Sequence, residues 1–347
     1  MTRYVLGRVG QAVAVLWAAY TLTFAILYLL PSDPMELQLA AAGVQTDSLT
    51  ASQVDAIKQQ FGLDESIGAQ YWHHLTGLLR GDFGTSLTQQ VPVSDLLAQR
   101  IGPTLQLSLS AAVVSLVAGS ALAYLATFVT RGWLRTLLSR LPALGASFPQ
   151  FFVALFLIQF FSFRLGWFPA TGTTGFTSLV MPVLTISVLA SAVLAQVLIK
   201  SFDETLAQPY ITTARAKGLS RSAVHLRHAF RNAALPAMTI LGVIVGLTVT
   251  SSIVTETVFT REGVGKLAQE AVLAQDVPVV LAVVTVAAAV FVLVNLVVDL
   301  LYPLLDPRIV AVRRGPASGS PTSSTSPTSS SPASSASPAS VAEGGAL

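Results

Sequence analysis

The chain contains no cysteine, which excludes disulfides, thiolate catalysis and cysteine metal sites and leaves the redox character of its compartment unread. Charge is scarce too. Asp, Glu, Lys and Arg make up 11% of the 347 residues, against about 25% in a soluble globular protein. So low a share, beside 52% hydrophobic residues and a mean hydropathy of +0.66, excludes an ordinary soluble enzyme and a disordered protein. A formal net charge of +3 is too small to suggest nucleic-acid binding. Catalytic motifs are missing: there is no HExxH, GxSxG or CxxC. Gly263-Val-Gly-Lys266 imitates the end of a phosphate loop, but the motif's first glycine falls on Thr260 and no Ser or Thr follows the lysine. His73 and His74 are adjacent and diverge on a helix. His225 and His228 can share a face, but carboxylates are too few around them for a metal site, and they read as two exposed histidines near lipid headgroups.

What the chain does have is long uncharged runs. A bilayer core takes about 20 apolar residues per helix. Spans built on such stretches lie at about 9–31, 103–130, 141–163, 178–199, 235–257 and 277–301, the last two with Glu256 and Asp299 at their ends. The expected fold is therefore an all-α polytopic membrane protein with six transmembrane helices. The runs are continuous rather than alternating, which excludes a β-barrel. The first run is too long for a signal peptide, and Pro31-Ser-Asp-Pro34 is not a small-residue cleavage site. Glu256 and Asp299 sit at span ends. Proton relays place carboxylates inside the bundle, so a large, weakly polar passage fits better than a proton-coupled carrier.

Basic residues set the orientation. With the N-terminus inside, only Lys58, Arg80, Arg100, Arg164, Arg261 and Lys266 fall outside; the other fourteen of the 20 Lys and Arg lie inside. Both termini are then cytosolic. The outer segment 33–100 is long enough to fold. It shows one apolar helical face over Ala51–Gln60 and a second at Tyr71, Trp72, Leu75, Leu78 and Leu79, stopped by Gly81. Val93–Ile101 reads as a third short helix, with Pro103 opening the next span. The pattern favours a small helical cap over a docking surface. Residues 1–314 read as one transmembrane domain, and 315–347 as a Ser/Pro/Ala-rich tail with almost nothing to bury, expected to be disordered.

The inner loop 201–235 is the most informative segment. Pro209 can start a helix there, and Gly218 can end it in the left-handed conformation. So short a helix is unstable alone and must dock. Ala214 and Ala216 permit close approach of another backbone, and Arg215, Lys217 and Arg221 suit an acidic surface; the same charges would serve as a topology signal. In the fifth span Gly242 and Gly246 lie four apart on one face, suited to helix packing within the chain or against a partner.

Four segments together resemble a known family, the inner-membrane permeases of type I ABC importers, of the dipeptide/oligopeptide (peptide/nickel) permease B type. They are Arg3–Pro34; Gly62-Leu-Asp-Glu-Ser66 with Leu78-Leu-Arg-Gly-Asp-Phe-Gly84 and Pro92-Val-Ser-Asp-Leu-Leu97; Thr213-Ala-Arg-Ala-Lys-Gly218 with Arg227–Pro236; and Glu256-Thr-Val-Phe259, Gly263-Val-Gly265 and Asn295–Ile309. They span roughly residues 3–310. Two departures stand out: the acid that usually opens the coupling motif is Thr212, and the spacing from Gly218 to Pro236 is longer than in importers generally, as in the peptide subgroup.

The resemblance implies a multi-pass protein of the bacterial inner (plasma) membrane that is not itself an enzyme. It implies a second homologous permease, two cytosolic ABC ATPases carrying ATP and Mg, and an extracytoplasmic substrate-binding protein, with no cofactor, metal or nucleic acid on this chain. The cargo would be di- or oligopeptides, or alternatively nickel or a metal chelate, glutathione or haem. Thr213, Ala214, Arg215, Ala216, Lys217 and Gly218 would couple to the ATPase, and Gly242 and Gly246 would face the second permease. The cysteine-free chain makes the orientation testable. A single cysteine at position 58 is expected to react with an impermeant thiol reagent in intact, wall-stripped cells, and one at 221 to stay unlabelled. The reverse pattern would invert the topology.

Overall fold

The computed structural model describes residues 2–29 and 66–305. The expected helix Ala51–Gln60 and the tail 315–347 lie outside the described residues. Among the described residues the chain is helical, with one isolated bridge, Thr85 with Pro92, in place of any sheet. Helix α1 (Thr2–Leu29) is followed by α2 (Ile67–Leu79) and α3 (Val93–Phe128). Next come α4 (Gly132–Ser147) and α5 (Gln150–Leu157), which continues as a π-helical stretch, Ile158–Arg164. Then follow α6 (Thr177–Leu206) and the short α7 (Pro209–Ala216). A single turn, Arg221–Ala223, and a π-helical stretch, Val224–Ala229, lead into α8 (Phe230–Val258). Helices α9 (Val264–Leu273) and α10 (Val277–Leu305) close the described chain.

Four described segments are long and apolar enough to cross a membrane: Leu6–Leu27, Val93–Phe128, Thr177–Leu206 and Val277–Val297. The third expected span differs from a straight helix over 141–163. The chain bends by 100° between α4 and α5, and the two halves count as one span only if taken together. The cause is Phe148-Pro149: a residue before proline avoids the α region, and Phe148 is extended at φ −88°, ψ 130°. The apolar stretch in α8, Gly242–Val258, is shorter than the others. The expected break at Pro103 is also absent. Val93–Ile101 and the following span form one 36-residue helix with Pro103 inside it.

The most extensive helix pair is α3 with α6. Along α3, Ala111, Ser115, Gly119 and Ala123 recur every four residues, all buried. A β-carbon on Gly119 would lie 2.9 Å from the Ser191 carbonyl oxygen and 3.1 Å from Leu194 Cβ. Ser187 Oγ donates to the Ala111 carbonyl at 3.2 Å. Small residues thus bring two backbones together, which is how helices associate in lipid. Helix α8 packs on α6 through Ala233, Ala237 and Ile244, with Ala229 just before it, against Leu194, Leu198 and Phe202. Helix α1 lies against α10. Gly246 faces α10 of its own chain, where an added β-carbon would stand 2.4 Å from Phe291 Cε2. Phe291 of the same chain thus occupies the space beside Gly246. Gly242 is likewise buried within the chain.

The helices alternate in direction, so the bundle has two ends. One carries α2, the loop before α3, α9 and the start of α10. There Tyr20 and Phe24 of α1 pack with Tyr71, Leu75, Leu78, Val277 and Leu281, leaving Trp72 and Leu79 exposed. The other end carries α7 and the turns before α8. A Gly119→Val variant, overpacking the α3–α6 seam, is expected to lose about 1–3 kcal/mol of stability, read as a lower melting temperature in detergent. Gly10→Ala, where nothing lies within 4 Å, should be neutral or stabilising.

Candidate functional site

At the α7 end the helix starts at Pro209 and its chain reverses at Gly218, whose φ of +80° is in the region that favours glycine. The Gly218 amide donates to the Arg215 carbonyl at 3.0 Å and the Leu219 amide to that of Ala214 at 3.4 Å, closing the helix C-terminus. Ile211 and Ala214 pack with Val224, and with Leu206 and Leu219 around them. Ala214 therefore points into its own chain. The face left open carries Thr213, Arg215, Ala216 and Lys217, with Tyr210 half-exposed beside them. Asn232 Nδ2 donates to the Tyr210 hydroxyl at 2.8 Å, tying α7 to the start of α8.

His225 is buried, contrary to the expectation of two exposed histidines. It lies among the rings of Tyr124, Phe128 and Phe202, with Arg221 above Phe128 at 5.2 Å. Its Nδ1 and Nε2 lie 3.2 and 3.3 Å from the carbonyl oxygens of Arg221 and Thr127. Burial holds its pKa below the ordinary 6.5, reinforced by the positive charges of Arg221 and Arg215, while the two carbonyls pull the other way. His225 thus fixes the loop to the end of α3. At the same end Arg135 of α4 pairs with Asp203 of α6 at 2.9 Å.

At the opposite end the central feature is Glu256, fully buried at the last turn of α8. Thr104 Oγ1 of α3 donates to Glu256 Oε1 at 2.7 Å, and the Gly265 amide donates to Oε2 at 2.7 Å. Thr104 Oγ1 also accepts from the Val264 amide at 2.8 Å. The free amides at the start of α9 are thus capped by side chains of two other helices, and a carboxylate suits the positive end of the helix dipole. The two glycines are there for space. A β-carbon on Gly263 would lie 2.2 Å from Glu256 Cδ, and one on Gly265 2.4 Å from Ile253 Cα. Arg261, 1% exposed, donates to the Ser178 carbonyl at 3.3 Å and so ties this turn to the start of α6. Burial lowers its pKa and the Glu256 charge raises it. On the rim Arg100 pairs with Glu262, and Lys266 with Glu262 and Glu270.

Below this turn is a cavity of about 310 Å³ between α3, α8, α9 and α10. Its walls are Val, Ile, Ala and Phe, broken by the hydroxyls of Thr104, Ser108, Thr250 and Ser252. Among the described residues no group of three His, Cys, Asp or Glu could hold a metal. Thr104 carries no local signal in the sequence, and His225 reads there only as one of two exposed histidines. Glu256 and its glycines drew notice only as part of a motif; the signal was a lone acid at a span end followed by two closely spaced glycines.

Residues 99–311 match the family described as "Binding-protein-dependent transport system inner membrane component", and residues 1–109 match "Binding-prot-dependent transport system membrane comp, N-term". Among curated proteins, the glutathione transport system permease protein GsiC of Shigella flexneri serotype 5b is 36% identical over 309 residues, 89% of this chain and 99% of the relative. Its counterpart in Salmonella typhimurium is 37% identical over the same coverage. A crystal structure of an amino acid ABC transporter with histidines aligns over 62% of this chain and 94% of its own, at 16% identity and a TM-score of 0.47.

The buried His225 predicts a pH dependence. With its folded pKa depressed, its contribution is complete above about 6.5 and is lost as pH falls through the lower folded value, because the unfolded state then binds more protons. The opening free energy of residues 207–229, read by hydrogen exchange after correction for the pH dependence of the intrinsic rate, is expected to fall between pH 7.5 and 5.5, and His225→Phe to flatten that change.

Proposed function

Since the chain belongs to the family of binding-protein-dependent inner-membrane transport components, the permeases of ABC importers, we propose that it takes up peptides delivered by a substrate-binding protein and that its cargo includes small peptides of the glutathione type. The observation that carries this is the likeness to permeases named for glutathione along 99% of their length. Glutathione is itself a tripeptide, so the general and the narrower cargo belong to one chemical class.

The mechanism we infer is alternating access. Two cytosolic ATPases bind ATP and Mg, close on each other and push on α7, whose open face offers Arg215 and Lys217. Helix α7 is fixed to Leu206 and Val224 and so moves with α6 and α8 as one lever. A second, homologous permease completes the passage, and both termini lie in the cytosol. Hydrolysis resets the machine, and the bond chemistry belongs to the partners.

The test is uptake by the reconstituted complex in proteoliposomes. Labelled tripeptide and glutathione are expected to accumulate only with ATP and the binding protein, and to compete with each other. A charge-reversed α7, Arg215→Glu with Lys217→Glu, should keep membrane insertion and lose binding-protein-stimulated ATP hydrolysis. Uptake restricted to a nickel chelate or haem would overturn the peptide cargo and leave the permease assignment intact.

A further inference from the structure

The turn around Glu256 joins two groups of elements, which also meet where Phe291 of α10 fills the space at Gly246. On one side is the first part of α3 with α9 and the start of α10, held by an apolar cluster of Val93, Leu97, Leu267, Ala271, Val279 and Val283. Asp276 reinforces this side: its Oδ2 accepts from Ser86 Oγ at 2.5 Å and Thr88 Oγ1 at 2.9 Å. On the other side is α8, held on α6 by its own apolar cluster and on α5 by Gln150, whose Nε2 donates to the Ser251 carbonyl at 2.8 Å and to Thr255 Oγ1 at 2.6 Å. The cavity lies between these sides. At its upper end the polar contacts across it are those of Glu256 with Thr104 and Gly265.

We propose that Thr104 and Glu256 are positioning residues of the transport cycle: they latch residues 93–101 and α9 to the end of α8, close the cavity at the end away from α7, and must part for solute to pass. This rests on the permease reading above. Three features favour a latch over a permanent joint. The bonds are few and polar, and the Glu256 carboxylate accepts both of them, from Thr104 Oγ1 and from the Gly265 amide, so a small separation of α3 and α9 from α8 breaks both. Such a contact is bistable rather than elastic. Second, Pro103 precedes Thr104 inside α3. It removes one helical hydrogen bond and so marks a place where the first turns of α3 can bend away from the packed length below. Third, Gly263 and Gly265 leave no β-carbon between α9 and Glu256; the contact is made by backbone and can part without repacking side chains.

The experiment uses the whole complex, with partners, in proteoliposomes. The cysteine-free chain receives Ile101→Cys and Ile253→Cys, which line the cavity on opposite sides of the latch. A short, reducible bis-thiol reagent bridges them, with each single-cysteine variant as control. Bridging is expected to lower uptake by about tenfold, a typical size for a coupling effect, with recovery on reduction. In parallel, Thr104→Val keeps the side-chain volume and removes the hydroxyl. It is expected to raise ATP hydrolysis in the absence of binding protein by about fivefold and so to shrink the stimulation ratio, while Thr104→Ser restores both. Uptake unchanged by bridging would overturn the latch, as would a wild-type stimulation ratio in Thr104→Val. If Thr104→Val does not assemble, the bridged pair decides alone. If the unmodified complex shows no binding-protein-stimulated hydrolysis, the permease reading fails and the latch with it.

Discussion

The close approach of α3 to α6 is the constraint on which the other contacts depend. In lipid, apolar surface gains nothing by leaving its surroundings, so helices hold together through dispersion at short range and through hydrogen bonds. Ala111, Ser115, Gly119 and Ala123 give α3 a flat, small-residue stripe, and the backbone of α6 lies against it at Ser191. With that pair fixed, α6 offers Leu194, Leu198 and Phe202 to α8, and Val188 and Ala192 lie beside Gly145 of α4. Helix α8 in turn receives Phe291 of α10 in the space left by Gly246. A bulky residue in the α3 stripe would propagate through each of these contacts.

A second constraint sorts the polar groups. Hydroxyls along the spans mostly donate to carbonyls one turn back, as Ser115, Thr127, Thr185 and Thr285 do; these bonds need no partner helix. Among the described residues, buried charge and the buried imidazole lie at the ends: His225 at one, Glu256, Arg261 and Asp276 at the other. At both ends the group holds an irregular backbone segment against the bundle. His225 fixes the turns after α7 to the end of α3, and Glu256 fixes the start of α9 to the end of α8. The surface pairs of Arg100, Lys266, Glu262 and Glu270 contribute little by comparison, since exposed ion pairs are worth about 0–1 kcal/mol.

How much of this the sequence discloses depends on the range of the signal. Hydropathy is local, and the helical character of the apolar runs is visible in it. So is α7, because Pro209 and Gly218 act on their own backbone. The bend at Phe148-Pro149 had a local signal that a 23-residue apolar run concealed. Pro103 misled in the other direction: tertiary packing of α3 on α6 and α9 keeps the helix continuous through it. The burial of Ala214, the contact of Gly246 with Phe291 and the partners of Glu256 are facts about pairs. Thr104 and Glu256 are 152 residues apart, and nothing in either neighbourhood names the other. For the same reason an alanine or glycine stripe shows that a backbone approaches closely without showing whose.

The two ends of the bundle are built differently, and that difference matches the proposed mechanism. At the α7 end the contacts are apolar and aromatic: Ile211, Ala214 and Val224 in one cluster, and His225 among three rings. Packed cores transmit displacement because they resist compression, so a push on α7 reaches α6 and α8 undiminished. At the far end the closure across the cavity consists of two or three hydrogen bonds and a backbone contact, which lengthen to nothing over a short distance. Under the proposed mechanism a stiff end would receive force and a brittle end would yield to it, so that motion applied at α7 would open the cavity about 40 Å away, the length of a helix such as α8 at ~1.5 Å per residue. With the brittleness reversed, the same force would be absorbed locally at α7 and the passage would stay closed.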